Sequence, residues 1–254
     1  MQSLTYYWIN VFTTEQDKGN PLPVFVLKKP LSKAAMQQIA TMMNQSETVF
    51  IENLNGDLPK FHIYTPMQEL PFAGHPIIGG LQIIKMLKNS VCIKQIETLA
   101  GVVDIHINPN QSIYWIKAPI EPTKRTSTLN IPLTSQMLNI PEEQILSEPK
   151  WLNTGSEQLL VELSHSSVVD SVKINLELFE QHATLHAGRT MIYLWARDDN
   201  DVYVRYLYLK NGALNEDSGT GSACSNLGGL QVLEGNNDFE WIIHQGCLLG
   251  RENV

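Results

Sequence analysis

Two glycine-containing segments, one in each half of the chain, follow the same pattern and most restrict how this chain can fold. Glu69 and Gly74 are five residues apart, and Glu216 and Gly221 repeat that spacing 147 residues later. Each segment follows residues typical of a strand and precedes apolar residues at helical spacing. A repeat of this length predicts two related domains rather than a solenoid of short units.

The rest of the chain alternates between strand-like and helical segments, which predicts an α+β protein. Residues 6–12 and 48–51 are rich in aromatic and β-branched residues, as strands are. Residues 118–124 form a proline-containing polar segment that is typical of a linker. We therefore expect an N-terminal domain at residues 1–118 and a C-terminal domain at residues 119–254.

Composition excludes several classes of protein. The 254 residues are 43% hydrophobic and 17% charged, which excludes a disordered chain. The formal net charge of −8 argues against nucleic-acid and anionic-membrane partners. No run of about 18 apolar residues predicts a membrane span, and the first residues do not form a secretory signal. Three widely spaced cysteines, Cys92, Cys224 and Cys247, predict reduced thiols and a cytoplasmic protein.

The residues at the two predicted helix starts suit an anion. The first turn of a helix presents unpaired backbone N–H groups and a partial positive charge. A glycine there lets a ligand approach the backbone, and Gly74-His75 and Gly221-Ser222 both supply this arrangement. Either glycine alone is equally consistent with a tight turn, but the pair favours a site for a small carboxylate.

Nucleotide and metal sites are weaker interpretations. Gly219 and Gly221 are followed by Cys224 where a dinucleotide fingerprint needs its third glycine, and no phosphate-binding Gly-Lys-Ser/Thr occurs. His182 and His186 are four residues apart, but no Glu follows the first of them as in zinc proteases. The sequence therefore predicts neither a cofactor nor a metal.

Several side chains are candidates for proton chemistry. Glu47 stands between a polar break and an apolar strand, where a partly buried carboxylate could move a proton. His75, Glu216 and Asp217 flank the predicted helix starts. Each has a structural alternative, as a cap or an ion pair. Cys224 at a helix start could be a reactive thiolate or a small packing residue.

Taken together, these segments resemble the PhzF family, the phenazine-biosynthesis-like isomerases with a diaminopimelate-epimerase-like fold. Five motifs match in the family's order and span nearly the whole chain. They are Asn10-Val11-Phe12-Thr13 with Gly19-Asn20-Pro21, Asn44 to Phe50, Glu69 to Pro76, Glu216 to Ala223, and Gln245 to Arg251.

The resemblance implies two similar domains, each a mixed sheet or barrel around a central helix, with the active site in the cleft between them. It also implies cofactor-free proton chemistry and a homodimer, and it allows the last strand to pack on the first domain. By motif, Glu47 is similar to the family's general acid/base. The implied substrate-binding residues are Asn20, Gly74, His75, Asp217, Gly221 and Ser222.

The chain departs from the family pattern at two motifs. Asn10 stands where the family usually has Asp, and Ser218-Gly219 replaces Pro-Ala, which removes a rigid proline beside the site. Related epimerases use one cysteine from each domain, whereas the first glycine loop here has none. At the repeat spacing of 147, Glu47 corresponds to Leu194, so a single base is expected.

We therefore expect an isomerase that moves a proton near a carboxylate, because one base favours shifting a double bond over inverting a stereocentre. Two alternatives remain open at this point. One is an epimerase or racemase of an amino acid, which would use the same cleft with the thiol of Cys224. The other is a protein that binds small carboxylates without catalysis.

Overall fold

The chain forms two units, each built on its own sheet. The computed structural model describes residues 4–56, 58–88, 93–108, 113–118, 120–185 and 188–254. One unit comprises Met1–Val11 and Asn20–Pro119, and the other comprises Phe12–Gly19 and Ile120–Val254. The short segment Phe12–Gly19 thus groups with the second unit, although it lies within the first strand-rich stretch of the sequence.

The first unit contains, within its described residues, an eight-stranded mixed sheet and two helices. The sheet order is β1-β2-β3-β4-β6-β7-β8, with β5 paired to β4. The strands are β1 (Tyr6–Val11), β2 (Asn20–Val26), β3 (Thr48–Glu52), β4 (Lys60–Tyr64), β5 (Glu69–Leu70), β6 (Gln95–Thr98), β7 (Gly101–Asn108) and β8 (Ile113–Ile116), and the helices are α1 (Lys33–Met43) and α2 (Gly74–Lys88).

The second unit contains a seven-stranded sheet in the order β14-β13-β12-β11-β10-β9, with β15 paired to β13, as far as the chain is described. Its strands are β9 (Thr123–Thr126), β10 (Lys150–Asn153), β11 (Gln158–Glu162), β12 (Met191–Asp198), β13 (Asp201–Lys210), β14 (Ala213–Asp217) and β15 (Ile242–Gln245). Its helices are α3 (Ile131–Leu138), α4 (Ser166–Ser171), α5 (Leu176–His182) and α6 (Gly221–Leu233). None of the helices in the described ranges has the length and apolar character of a membrane span.

The strand pairing of the first unit is repeated in the second. In the first unit, the pairs β1–β2, β2–β3, β3–β4, β4–β5 and β4–β6 are antiparallel, parallel, antiparallel, antiparallel and parallel. The pairs β10–β11, β11–β12, β12–β13, β13–β14 and β13–β15 repeat these directions. Helices α2 and α6 occupy equivalent positions and pack on the sheets of their own units. This topology confirms the prediction of two similar α+β domains. The last strand, β15, belongs to the second sheet.

The spacing of the repeat changes between the helix starts and the strand that follows Glu47. Equivalent residues are 147 apart at Gly74 and Gly221 but 144 apart at Thr48 and Ile192, because the second unit has three more residues between these points. The pairs that fix this register are Thr48–Tyr64 and Tyr64–Glu69 in the first unit, and Ile192–Leu207 and Leu207–Glu216 in the second. The counterpart of Glu47 is therefore Met191 and not Leu194, and it is equally unable to carry a proton.

Helix α2 approaches its sheet closely through a glycine, and we expect Gly79→Ala to lower the free energy of unfolding by up to about 2 kcal/mol, an overpacking cost of about 1–3 kcal/mol less the gain from alanine. A Cβ atom on Gly79 would lie 2.4 Å from Leu22 Cδ2 and 2.8 Å from Val11 Cγ2. Both side chains are buried, so overpacking exceeds the gain of about 1 kcal/mol that alanine brings to a helix. Urea denaturation of the variant measures the difference.

The matched control for this substitution is Gly228→Ala in α6. A Cβ atom there would be 3.9 Å from Phe239 Cζ, its nearest neighbour, so we expect the variant to be neutral or stabilised by up to about 1 kcal/mol. If Gly79→Ala behaves like Gly228→Ala, the close approach of α2 does not limit residue size.

Candidate active site

A buried histidine holds the candidate proton carrier in the first unit. Glu47 directly precedes β3, and His75 is the second residue of α2. The Nδ1 atom of His75 lies 3.0 Å from Glu47 Oε2, with the histidine side chain 3% exposed and the glutamate side chain 19% exposed. The other carboxylate oxygen, Glu47 Oε1, has no hydrogen-bond partner among the described residues. One oxygen is thus fixed while the other is available to a ligand.

The start of α2 is built as the sequence predicts. The helix begins at Gly74, and Ala73 before it has no polar side-chain atom that could cap the first turn. Pro76 is the third residue of the helix rather than the first, and it costs no hydrogen bond because the first four N–H groups have no partner within a helix. The backbone N–H of Gly74 therefore remains a donor for a ligand, within a turn that favours negative charge.

Asn20 supports the loop that carries Glu47. It is the first residue of β2 and is buried. Its Oδ1 accepts a hydrogen bond of 3.4 Å from the hydroxyl of Ser46, the residue before Glu47. This contact gives Asn20 a role in placing the loop, and a direct substrate contact by Asn20 stays a prediction.

The loop before α6 forms the corresponding region of the second unit. Thr220 is the N-cap residue, but its side chain does not cap the helix. Instead, Thr220 Oγ1 donates a hydrogen bond of 2.6 Å to Asp217 Oδ2. The first backbone bonds to the cap carbonyl come from Ala223 and Cys224, each at 3.1 Å. The N–H groups that precede them, including that of Gly221, are therefore not used by the cap.

Gln245 holds this loop in place, which the sequence did not predict. Its Oε1 accepts from the Thr220 N–H at 2.9 Å, and its Nε2 donates to the Asp217 carbonyl at 2.9 Å and to Thr220 Oγ1 at 3.0 Å. The residue is buried on β15, and its backbone pairs with Asn253. In the sequence, Gln245 is marked only by its position at the start of the last of the five motifs.

Asn253 contacts the loop at Ser218-Gly219, where the sequence departs from the family pattern. The side-chain amide of Asn253 donates to the Ser218 carbonyl. A Cβ atom on Gly219 would lie 2.8 Å from Asn253 Oδ1 and 3.1 Å from Phe12 Cδ2. Glycine thus fits beside the buried asparagine where alanine would be crowded, and side-chain hydrogen bonds hold a loop that lacks the proline.

The repeated glutamates of the two glycine segments form ion pairs within their own units. Glu216 Oε2 accepts from Arg205 Nη2 at 2.8 Å, and Glu69 Oε1 lies 3.3 Å from His62 Nδ1. Lys33 adds a bond of 2.9 Å to Glu69 Oε2. Both glutamates join the hairpin strand before the helix to its neighbour, so their repetition has a structural cause and does not indicate a catalytic acid.

Cys224 is not placed as a reactive thiolate. Burial raises the pKa of its thiol to about 11, so it is protonated at neutral pH. In the part of the chain that is described, no cluster of three His, Cys, Asp or Glu suited to a metal occurs. His182 bonds to Thr128 Oγ1 at 3.1 Å, and His186 lies outside the described residues.

Comparison with known proteins identifies the family. The sequence profile of the PhzC-PhzF family, described as phenazine biosynthesis-like proteins, matches residues 9–253. The chain belongs to this family. An uncharacterized isomerase of Pasteurella multocida is 36% identical over 250 residues, which cover 98% of this chain and 84% of that protein.

Two further matches concern the enzyme class and the fold of this family. Trans-2,3-dihydro-3-hydroxyanthranilate isomerase of Pseudomonas fluorescens is 44% identical over 75 residues, which are 29% of this chain and 27% of that enzyme. A PhzF-family phenazine biosynthesis protein of Bacillus anthracis has a TM-score of 0.81 at 19% identity, covering 100% of this chain and 89% of that chain. The first supports an enzyme of the isomerase class, and the second confirms the fold.

Proposed function

We propose that this chain is a cofactor-independent isomerase that moves a proton on a small carboxylate-bearing substrate, with Glu47 as the general acid/base. The observation that supports it most is the 3.0 Å contact between His75 Nδ1 and Glu47 Oε2. It orients the carboxylate while part of the glutamate side chain remains accessible. A positioned, reachable carboxylate is what proton transfer to and from carbon requires.

The proposed role of His75 follows from the chemistry of its partner. An ionised carboxylate only accepts hydrogen bonds, so Nδ1 of His75 carries the hydrogen when Glu47 is ionised. This bond leaves Glu47 Oε1 to take the proton. Because His75 is also the second residue of α2, the same side chain ties the base to the helix start where the substrate carboxylate is proposed to bind.

The proposed reaction balances without a further reactant. Glu47 takes a proton from one substrate carbon, so a C–H bond breaks, an O–H bond forms and the electron pair moves into the unsaturated system next to the substrate carboxylate. Glu47, whose proton can exchange with solvent, then protonates a second carbon, which shifts the double bond. A well-placed backbone donor, such as Gly74 or Gly221, stabilises the developing charge by about 3–4 kcal/mol.

The remaining family contacts complete the proposal. His75, Asp217, Ser222 and Asn20 would bind or shape the substrate, as their motif positions imply. The homodimer and the division at residues 118 and 119 stay predictions from the sequence.

Two features favour a double-bond shift over an epimerase or racemase. Inversion with two bases needs a second proton carrier, and the register counterpart of Glu47 is the apolar Met191. The thiol at the second helix start, Cys224, has its pKa raised to about 11 by burial, so it is protonated at neutral pH and cannot take a proton from carbon.

Hydrogen exchange tests the proposal. Unsaturated cyclic carboxylates and amino acids, beginning with trans-2,3-dihydro-3-hydroxyanthranilate, are incubated with the native protein in D₂O and followed by NMR. We expect deuterium to enter one of them at a transferred position, and we expect Cys224→Ala to label it at the native rate. Loss of labelling in Cys224→Ala would favour the epimerase. Ligand binding with neither labelling nor a shifted double bond across the panel would favour a non-catalytic binding protein.

A further inference from the structure

A buried set of polar side chains joins the first turn of α6 to the turn between β10 and β11. Asn226 and Gln158 are fully buried, and their amides are linked by a hydrogen bond from Asn226 Nδ2 to Gln158 Oε1. Gln158 in turn contacts Ser222, one of the proposed substrate-binding residues, through a bond of 2.9 Å. The direction of each hydrogen bond in this set can be derived from one fixed donor.

The fixed donor is the backbone N–H of Thr154. It lies 2.8 Å from Asn226 Oδ1, and a backbone N–H can only donate, so this atom of Asn226 must be the oxygen. The other terminal atom, Nδ2, is then a donor with two hydrogens. One goes to the Ser156 carbonyl at 2.8 Å and the other to Gln158 Oε1.

The amide orientation of Gln158 follows from that of Asn226. Its Oε1 accepts from Asn226, so its Nε2 must be the atom that faces the two serines. The hydrogens of Nε2 go to Ser156 Oγ at 3.2 Å and to Ser222 Oγ at 2.9 Å. Ser222 Oγ is therefore an acceptor in this bond, and its own hydrogen must point elsewhere.

We propose that Asn226 and Gln158 are positioning residues that hold the Ser222 hydroxyl as a hydrogen-bond donor to the ligand, so that this position selects an anionic group. This inference rests on the proposed function, which assigns Ser222 to substrate binding. Ser222 then adds a second donor beside the N–H of Gly221, in the first turn of α6. Two donors together suit a carboxylate, whereas the amino group of a carboxamide would meet a donor.

Acetate and acetamide are suitable probes, since both are small and differ mainly in charge. Binding is followed in the full-length protein by the shifts of the Gly221 and Ser222 backbone amides in NMR titrations. We expect the native protein to bind acetate more tightly than acetamide. Gln158→Glu has nearly the same shape but loses the donor where its carboxyl group is ionised, and under those conditions we expect it to weaken acetate binding by about tenfold or more.

A pH series separates positioning from a merely structural role, and the uncharged variant described next separates it from repulsion of acetate by the new charge. When the introduced carboxyl group is protonated, it can again donate to Ser222 Oγ, so we expect the ratio of variant to native dissociation constants to fall as the pH is lowered. Acetate titrates equally in both measurements and cancels from the ratio. A ratio that stays constant over a pH range in which the introduced carboxyl group is seen to titrate by NMR would overturn the proposal.

Gln158→Met provides a second variant without a new charge. It removes the donor, and we expect it to weaken acetate binding in the native background but not in a Ser222→Ala background, because the effect acts through the serine hydroxyl. An equal loss in both backgrounds would overturn the proposal, as would a native protein that shows no preference for acetate. Failure of deuterium labelling with this coupling intact would overturn the isomerase assignment alone.

Discussion

Replacing Glu47 with glutamine should slow proton transfer by about 10²–10⁴-fold, the contribution of a positioned general acid/base. Glutamine has nearly the same shape, and its side-chain oxygen can still accept from His75 Nδ1, which lies 3.0 Å from Glu47 Oε2. The amide cannot take up a proton from carbon. We therefore expect substrate binding to be retained and the rate of deuterium incorporation to fall, as measured by NMR in D₂O.

The matched control lies at the other end of the same strand. Glu52 ends β3, and its carboxylate is 3.5 Å from His62 Nε2 rather than at a helix start. Glu52→Gln should therefore label at close to the native rate. If Glu47→Gln and Glu52→Gln exchange hydrogen equally well, Glu47 is not the proton carrier, and the contact with His75 has only a structural purpose.

The helix starts and the repeat could be predicted because their signals are local. Glycine followed by apolar residues at helical spacing gave the starts of α2 and α6, and the structure begins these helices at Gly74 and Gly221. The alternation of strand and helix gave the α+β class in the same way. A two-domain arrangement followed because the same local pattern occurs twice.

The features that the sequence did not predict depend on contacts between distant residues. The prediction that Leu194 corresponds to Glu47 was wrong. The second unit has three more residues between β12 and the start of α6 than the first unit has between β3 and the start of α2, so the residue that corresponds to Glu47 is Met191. Gln158 and Ser222 are 64 positions apart, and nothing near either residue indicates their contact. The structural role of Glu216 likewise depends on Arg205 in the neighbouring strand.

Removal of Arg205 should cause the largest loss of stability, and we expect Arg205→Met to lower the free energy of unfolding by about 3–5 kcal/mol. The Arg205 and Glu216 side chains are 14% and 10% exposed and 2.8 Å apart. Arg205 Nη1 also donates to the carbonyls of Val169 and Val172 near the end of α4. Without the arginine, Glu216 would be left as a nearly buried charge with its main partner gone. Urea denaturation measures the loss.

Two further variants separate the destabilisation caused by an unpaired buried charge from the contribution of the ion pair itself to the free energy of unfolding. Arg205→Met combined with Glu216→Leu removes both charges, so much of the stability should return, as it does when buried ion pairs are replaced by apolar residues. Lys60→Met breaks the pair with Glu97, in which both side chains are 39% exposed, and should cost no more than about 1 kcal/mol. If Arg205→Met costs as little as Lys60→Met, the Glu216 carboxylate is hydrated in solution, and burial does not explain why a glutamate stands at this position of the repeat.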